Sequence, residues 1–81
     1  MKLSVKLFAL AKDLVGREVV EIELDSPATV DALRRKLAAE YHSLASLVEQ
    51  ATFAINAEYA TGATKIPEDA EVACIPPVSG G

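Results

Sequence analysis

One cysteine, Cys74, and one histidine, His42, are all that this 81-residue chain offers of the two commonest metal-binding and redox side chains, and it has no tryptophan. A lone thiol excludes an internal disulfide and suits a reducing compartment. A lone imidazole excludes a metal centre built from several histidines, and no metal site is expected. The chain also lacks a GxxxxGK[ST] loop, a GxGxxG turn and a CxxC pair, so it carries no visible nucleotide cradle or dithiol of its own. No stretch approaches the ~20 apolar residues of a membrane-spanning helix. Lys6, Lys12 and Asp13 interrupt the apolar start before a signal-peptide core can form. The formal net charge of −4 argues against a nucleic-acid binder, which needs a basic surface, and favours solubility or attraction to a basic partner. The expectation is a soluble, cytoplasmic domain with no nucleic-acid or membrane partner.

What is present is aliphatic. Hydrophobic residues make up 51% of the chain and aromatics only 5%, enough for one compact core at a length near the lower limit for unaided folding. Residues 2–8 alternate, with Leu3, Val5 and Leu7 on one face and Lys2, Ser4, Lys6 and Phe8 on the other. Residues 9–15 form a short helical turn with Leu10 and Leu14 on one face, and Gly16 is its stop. Residues 18–24 alternate again, Val20, Ile22 and Leu24 against Glu21 and Glu23. Thr29 is placed to cap the main helix, residues 30–41, whose stripe is Val30, Leu33, Leu37 and Tyr41 and whose outward side holds Arg34, Arg35 and Glu40.

Leu44, Leu47 and Val48 indicate a second helical piece, with Ser43 or Ser46 as its cap and Glu49 completing a capping box with Ser46. Short strands follow at residues 52–56 and 59–61, then a turn at Pro67-Glu68-Asp69-Ala70. The last strand, residues 71–75, is apolar on both sides after Glu71 and belongs in the middle of a sheet. The pattern is α+β: a four- to five-stranded mixed sheet on one main helix, with short extra helical pieces. By analogy this is the β-grasp, or ubiquitin-like, architecture over residues 1–75.

Residues 76–81, Pro76-Pro77-Val78-Ser79-Gly80-Gly81, form a projecting tail on this reading. Two prolines cannot continue a ladder and hold the backbone extended. Six residues reach roughly 20 Å at ~3.3–3.6 Å each, enough to enter a partner's active site. Gly80 and Gly81 lack the Cβ that would obstruct a narrow channel. A terminal carboxylate, ionised at neutral pH, can attack the α-phosphate of ATP in a partner's site, and a sulfur or amine nucleophile can then displace AMP.

The other reactive groups read as structural. Cys74 lies in an apolar strand with no base beside it in sequence, where a free thiol packs as a small hydrophobe. Glu21/Glu23 and Glu68/Asp69 fall on a polar strand face and in a turn, as solvated charges do. His42 ends a helix. The chain shows no catalytic constellation and binds no cofactor on this reading; ATP belongs to the activating partner. Phe8 and Ile75 are both out of phase with the core, so neighbouring first and last strands would join them in an apolar patch beside the tail.

Leu7-Phe8-Ala9, Asp13-Leu14-Val15-Gly16, Thr29-Val30-Asp31-Ala32-Leu33, Ile55-Asn56, Asp69-Ala70-Glu71-Val72-Ala73 and the tail Pro76-Pro77-Val78-Ser79-Gly80-Gly81 together resemble the MoaD family. These are the ubiquitin-like sulfur carriers that form the small subunit of molybdopterin synthase. Two departures stand out: Ala70 occupies a position usually held by glycine, and Cys74 or Ile75 one often held by an aromatic.

The resemblance implies that a ubiquitin-activating-type adenylyltransferase adenylates Gly81 and that a sulfur donor protein converts it to a thiocarboxylate. Gly80 and Gly81 would be the reactive end, with Phe8, Ile75, Pro76, Pro77, Val78 and Ser79 contacting partners. The tail would deliver sulfur to cyclic pyranopterin monophosphate inside the large subunit of molybdopterin synthase, which supplies the catalytic side chains. Three other readings stay open: a sister carrier for thiamin thiazole or tRNA thiolation, a protein-modifying tag, and a plain interaction domain.

Overall fold

A computed structural model describes residues 1–77. Seven strands and three helices follow one another as β1 (Lys2–Leu7), α1 (Ala9–Val15), β2 (Val19–Glu23), β3 (Ala28–Thr29), α2 (Val30–Glu40), α3 (Ala45–Val48), β4 (Thr52–Ile55), β5 (Glu58–Ala60), β6 (Lys65–Ile66) and β7 (Glu71–Ile75), with a 3-10 turn at His42–Leu44 leading into α3. Five strands form one sheet in the order β2-β1-β7-β4-β5, and β3 pairs with β6 in a two-stranded ribbon. β1 and β7 run parallel and the other neighbours in the main sheet antiparallel. A mixed sheet packed on one long helix, with the first and last strands side by side at its centre, is the β-grasp fold.

Strand alternation sets the core. Leu3, Val5 and Leu7 from β1, Val20 and Ile22 from β2, Phe53 and Ile55 from β4, and Val72 and Cys74 from β7 are buried on one side of the sheet. Against them α2 lays Val30, Leu33 and Leu37, three and four residues apart, so that all three fall on one helix face. Thr29 caps α2 as the sequence predicts, its hydroxyl accepting from the Ala32 amide at 3.2 Å. Gly16 ends α1 at φ 79° and donates its amide to the Lys12 carbonyl, the left-handed stop that glycine provides without a Cβ penalty.

Four details depart from the sequence reading. Arg34 does not point into solvent: its guanidinium lies 5.1 Å from the Phe53 ring centre and donates to the carbonyls of Val48 and Ala51, the second at 3.0 Å. It thereby satisfies carbonyls that the short helix α3 leaves open, which no periodicity argument can foresee. Neither Ser43 nor Ser46 caps α3; no side chain does, because the preceding 3-10 turn feeds its backbone straight into the helix. On α1 the buried residue is Ala11, and the face with Leu10 and Leu14 is exposed. The β3–β6 ribbon joins two segments that read as loops, because two-residue strands carry no alternation to detect.

The β4–β5 hairpin turns on Asn56 and Ala57, both at positive φ of 50° and 69°, the geometry of a type I′ turn. The Asn56 side chain accepts from the Glu71 amide at 2.9 Å and so fastens this turn to the start of β7. At the turn before β7 the left-handed residue is Asp69, with φ 62°, and the neighbouring Ala70 is buried. Alanine at position 70 therefore meets no backbone demand for glycine. No helix among the described residues is long and apolar enough to cross a membrane.

Leu33 and Leu37 have no exposed surface. Leu33→Ala and Leu37→Ala should each cost about 2–5 kcal/mol in denaturant unfolding, the range for a leucine deleted from a packed core. A loss below ~0.5 kcal/mol, typical of exposed positions, would contradict the assigned helix face.

Candidate functional site

The open face of the sheet can be assembled from register alone. β7 lies between β1 and β4, so Ala73 has Lys6 on one side and Ala54 on the other. Lys6 in turn faces Val19 across β1–β2, and Ala54 faces Tyr59 across β4–β5. One step closer to the chain's exit, Ile75 pairs with Thr52. The parallel register of β1 and β7 ends at Leu7–Cys74, one residue before Phe8 on one strand and Ile75 on the other. The half of the open face nearest the exit is thus Val19, Phe8, Ala73, Ile75, Ala54 and Tyr59, with Lys6 among them.

This half is apolar and accessible. Phe8 is 39%, Val19 46% and Tyr59 78% exposed, while Ile75 is half-buried. The Lys6 ammonium lies 5.4 Å from the centre of the Phe8 ring, a cation–π distance that keeps the aromatic on this face. Ala9, at φ 51°, turns the chain from β1 into α1 immediately after Phe8. Phe8 is consequently held as the last residue of the strand's outer row and not drawn into the helix.

Two shallow grooves cross the face. One, of about 580 Å³, runs past Lys6, Phe8, Val19, Ala54 and Ala73. The other, of about 420 Å³, is lined by Thr52, Tyr59, Ile75, Pro76 and Pro77 and surrounds the root of the tail. Pro76 is buried and Pro77 exposed, so the body gives way to the tail within the proline pair. Val78, Ser79, Gly80 and Gly81 lie outside the described residues. Phe8 lines the first groove and Ile75 the second. Tyr59 and Val19 join them only through cross-strand register. Their signal in the sequence was faint: Tyr59 becomes an outer residue once the turn at Asn56-Ala57 is known, and Val19 follows from its place one residue before the core position Val20.

Cys74 faces the opposite way. It has no exposed surface, and burial pushes its thiol up to about 11, with the Arg34 charge opposing only in part. A desolvated thiol of that kind is a poor nucleophile. Elsewhere, the Lys12 ammonium hydrogen-bonds Glu18 at 3.1 Å and, with its charge, holds that exposed carboxyl below its ordinary value. His42 is exposed at the 3-10 turn, and the open face brings no histidine to the tail root.

The model of the ThiS family matches residues 5–81 of this sequence. The chain belongs to the ThiS family. A molybdopterin synthase sulfur carrier subunit from Dictyostelium discoideum is 37% identical, over 96% of this chain and 94% of the relative. Its counterpart from Escherichia coli (strain K12) is 35% identical, over 98% of this chain and 99% of the relative. Among solved structures, the crystal structure of SAMP1, small archaeal modifier protein 1, from Haloferax volcanii superposes with a TM-score of 0.87 at 28% identity, covering all of both chains. The similarity in sequence to sulfur carrier subunits extends over nearly the whole chain, and the described residues have the ubiquitin-like fold.

Native Cys74 should resist alkylation at pH 8, where a thiol titrating near 11 is ionised in only about one molecule in a thousand. Labelling with a maleimide should be slow in buffer and fast in denaturant, as followed by intact mass. Rapid labelling of the folded protein would show that the thiol is accessible.

Proposed function

We propose that this chain is the sulfur-carrying small subunit of a molybdopterin synthase. The observation that carries the reading is the full-length similarity to sulfur carrier subunits combined with the plan of the site: an apolar face beside the chain's exit, with the Cys74 thiol buried on the other side of the sheet. A carrier of this kind needs a docking face and an unhindered reactive end, and its own body needs no catalyst.

On this reading the Gly81 carboxylate, in the active site of a ubiquitin-activating-type adenylyltransferase, attacks the α-phosphorus of ATP. An acyl–phosphate bond forms, pyrophosphate leaves, and hydrosulfide supplied by a donor protein displaces AMP, losing its proton to leave a thiocarboxylate. The tail then enters the large subunit, where the thiocarboxylate sulfur bonds to a carbon of cyclic pyranopterin monophosphate as an oxygen substituent leaves that carbon with its electron pair, giving a thioester to Gly81. Water cleaves the acyl–sulfur bond and returns Gly81 to a carboxylate. Gly80 and Gly81 pass the narrow entrance because they lack Cβ atoms, and Val78 and Ser79 line it. Phe8, Ile75, Pro76 and Pro77 hold the body against its mouth. The carrier works in the cytoplasm, without a bound cofactor.

A second reading, as a protein modifier, is favoured by the close superposition on SAMP1. It requires a lysine amine as the final nucleophile and leaves a Gly-Gly remnant on target lysines, visible after proteolysis and mass spectrometry. The sulfur-carrier reading predicts unconjugated protein throughout its reaction cycle.

Reach supplies the functional test. Deleting Gly81 withdraws the reactive carboxylate by at most ~3.6 Å, and misplacement by about 1 Å can already cost a hundredfold. Chain lacking Gly81, mixed with adenylyltransferase, sulfur donor, large subunit and precursor, should make no detectable molybdopterin while melting at the wild-type temperature. Undiminished product would overturn the proposed role of Gly81.

A further inference from the structure

The open face has a second half, farther from the tail root, and its chemistry is different. Register places Glu21 on one side of Ser4 and Glu71 on the other, with Glu23 opposite Lys2. Asp69, in the turn before β7, lines the same groove as Lys2, Ser4 and Glu71. Four carboxylates thus share this half with Lys2. Glu21 and Glu71 are separated by two strand spacings, roughly 10 Å, with only a serine between them.

These charges outnumber the cation beside them, and none of the four is in an ion pair. The ion pairs among the described residues are Lys12–Glu18, Arg34–Asp31 and Lys36–Glu40, all on α1, α2 or the segment entering β2. None includes Glu21, Glu23, Asp69 or Glu71. A single groove nevertheless runs from Asp69, Glu71 and Ser4 in the acidic half to Phe8 and Val19 in the apolar half. A protein seated on the apolar half would therefore lie over the acidic half as well. Docking would desolvate four carboxylates with Lys2 as the one cation of this half to meet them, unless the partner brings its own.

Resting on the docking role proposed above, we infer that the large subunit presents an apolar patch bordered by lysine or arginine. We further infer that Glu21, Glu71 and Asp69 meet those cations and orient the carrier. An apolar contact by itself leaves rotation in the plane of the sheet weakly specified. A charge gradient along the strands, acidic at one end and apolar at the other, distinguishes the two ends. It turns the carrier so that the tail root faces the partner's active site before contact is tight. Steering of this kind acts chiefly on the association rate and fades with added salt, because the screening length is only ~8 Å at physiological ionic strength.

The test measures association and dissociation of the full-length chain with the purified large subunit at low, physiological and high salt. Glu21→Lys/Glu71→Lys should slow association about tenfold at low salt, within the range of electrostatic steering. Dissociation should change little, and most of the difference should disappear at high salt. Glu21→Gln/Glu71→Gln should give a smaller loss in the same direction, and Glu40→Lys, on the helix side, should behave as wild type. Unchanged melting temperatures exclude misfolding as the cause. Association that is unaffected by the reversal at low salt, or slowed equally by Glu40→Lys, would overturn the inference. Phe8→Ala separates the two layers of argument. If it weakens binding while the glutamate variants do not, docking stands and orientation by charge falls; if wild type fails to bind, both fall.

Discussion

The parallel pairing of β1 with β7 is the constraint on which the rest depends. It brings the first strand and the last side by side at the centre of the sheet, and the exit of the chain lies where both strands end. Parallel neighbours need a long crossover, and here α1, β2, α2, α3 and the β4–β5 hairpin lie between them in sequence. Everything that marks the exit follows from that register. Phe8 follows the end of β1, Pro76 and Pro77 share a groove with Ile75, and the Asn56 side chain fastens the start of β7 to the hairpin. A slip of one residue would turn Val72 and Cys74 outward and bury Ala73 and Ile75. Core stability and the placing of the exit are consequently one requirement.

The two faces of the sheet divide the labour. The inner face is committed to aliphatic packing under α2 and includes the only thiol, whose proton is held by burial. The outer face is left apolar near the exit and charged away from it. A carrier has reason to keep these properties apart. On the proposed function its reactive end is handled by other proteins in turn, so the body must stay folded while the tail is modified. A buried thiol offers no rival acceptor for sulfur. Small exposed apolar patches are tolerable on a domain of net charge −4, where repulsion between copies favours solubility.

Much of the architecture could be read from residues. Alternation found β1 and β2, a run apolar on both sides found β7, and the 3.6-residue stripe found α2; Thr29 and Gly16 marked a start and a stop where the structure has them. Those signals are local and strong. The unread parts are set at long range. Arg34 folds back onto Phe53 because α3 leaves open carbonyls within its reach, and the β3–β6 ribbon forms because the ends of two loops meet. The site was legible to a similar degree. Phe8 and Ile75 were visible as residues out of phase, whereas Tyr59, Val19 and the flanking of Ser4 by two glutamates depend on register across five strands. Pairing of that kind has no signature within any one segment.

The proposed route carries sulfur on the terminal carboxylate and not on the thiol. It is tested most directly by high-resolution mass spectrometry of the C-terminal peptide after incubation with adenylyltransferase, ATP and a sulfur donor. The account predicts one sulfur in place of one oxygen at Gly81, with the peptide containing Cys74 otherwise unmodified. Sulfur present solely as a persulfide on Cys74, with an unchanged carboxylate at Gly81, would contradict it.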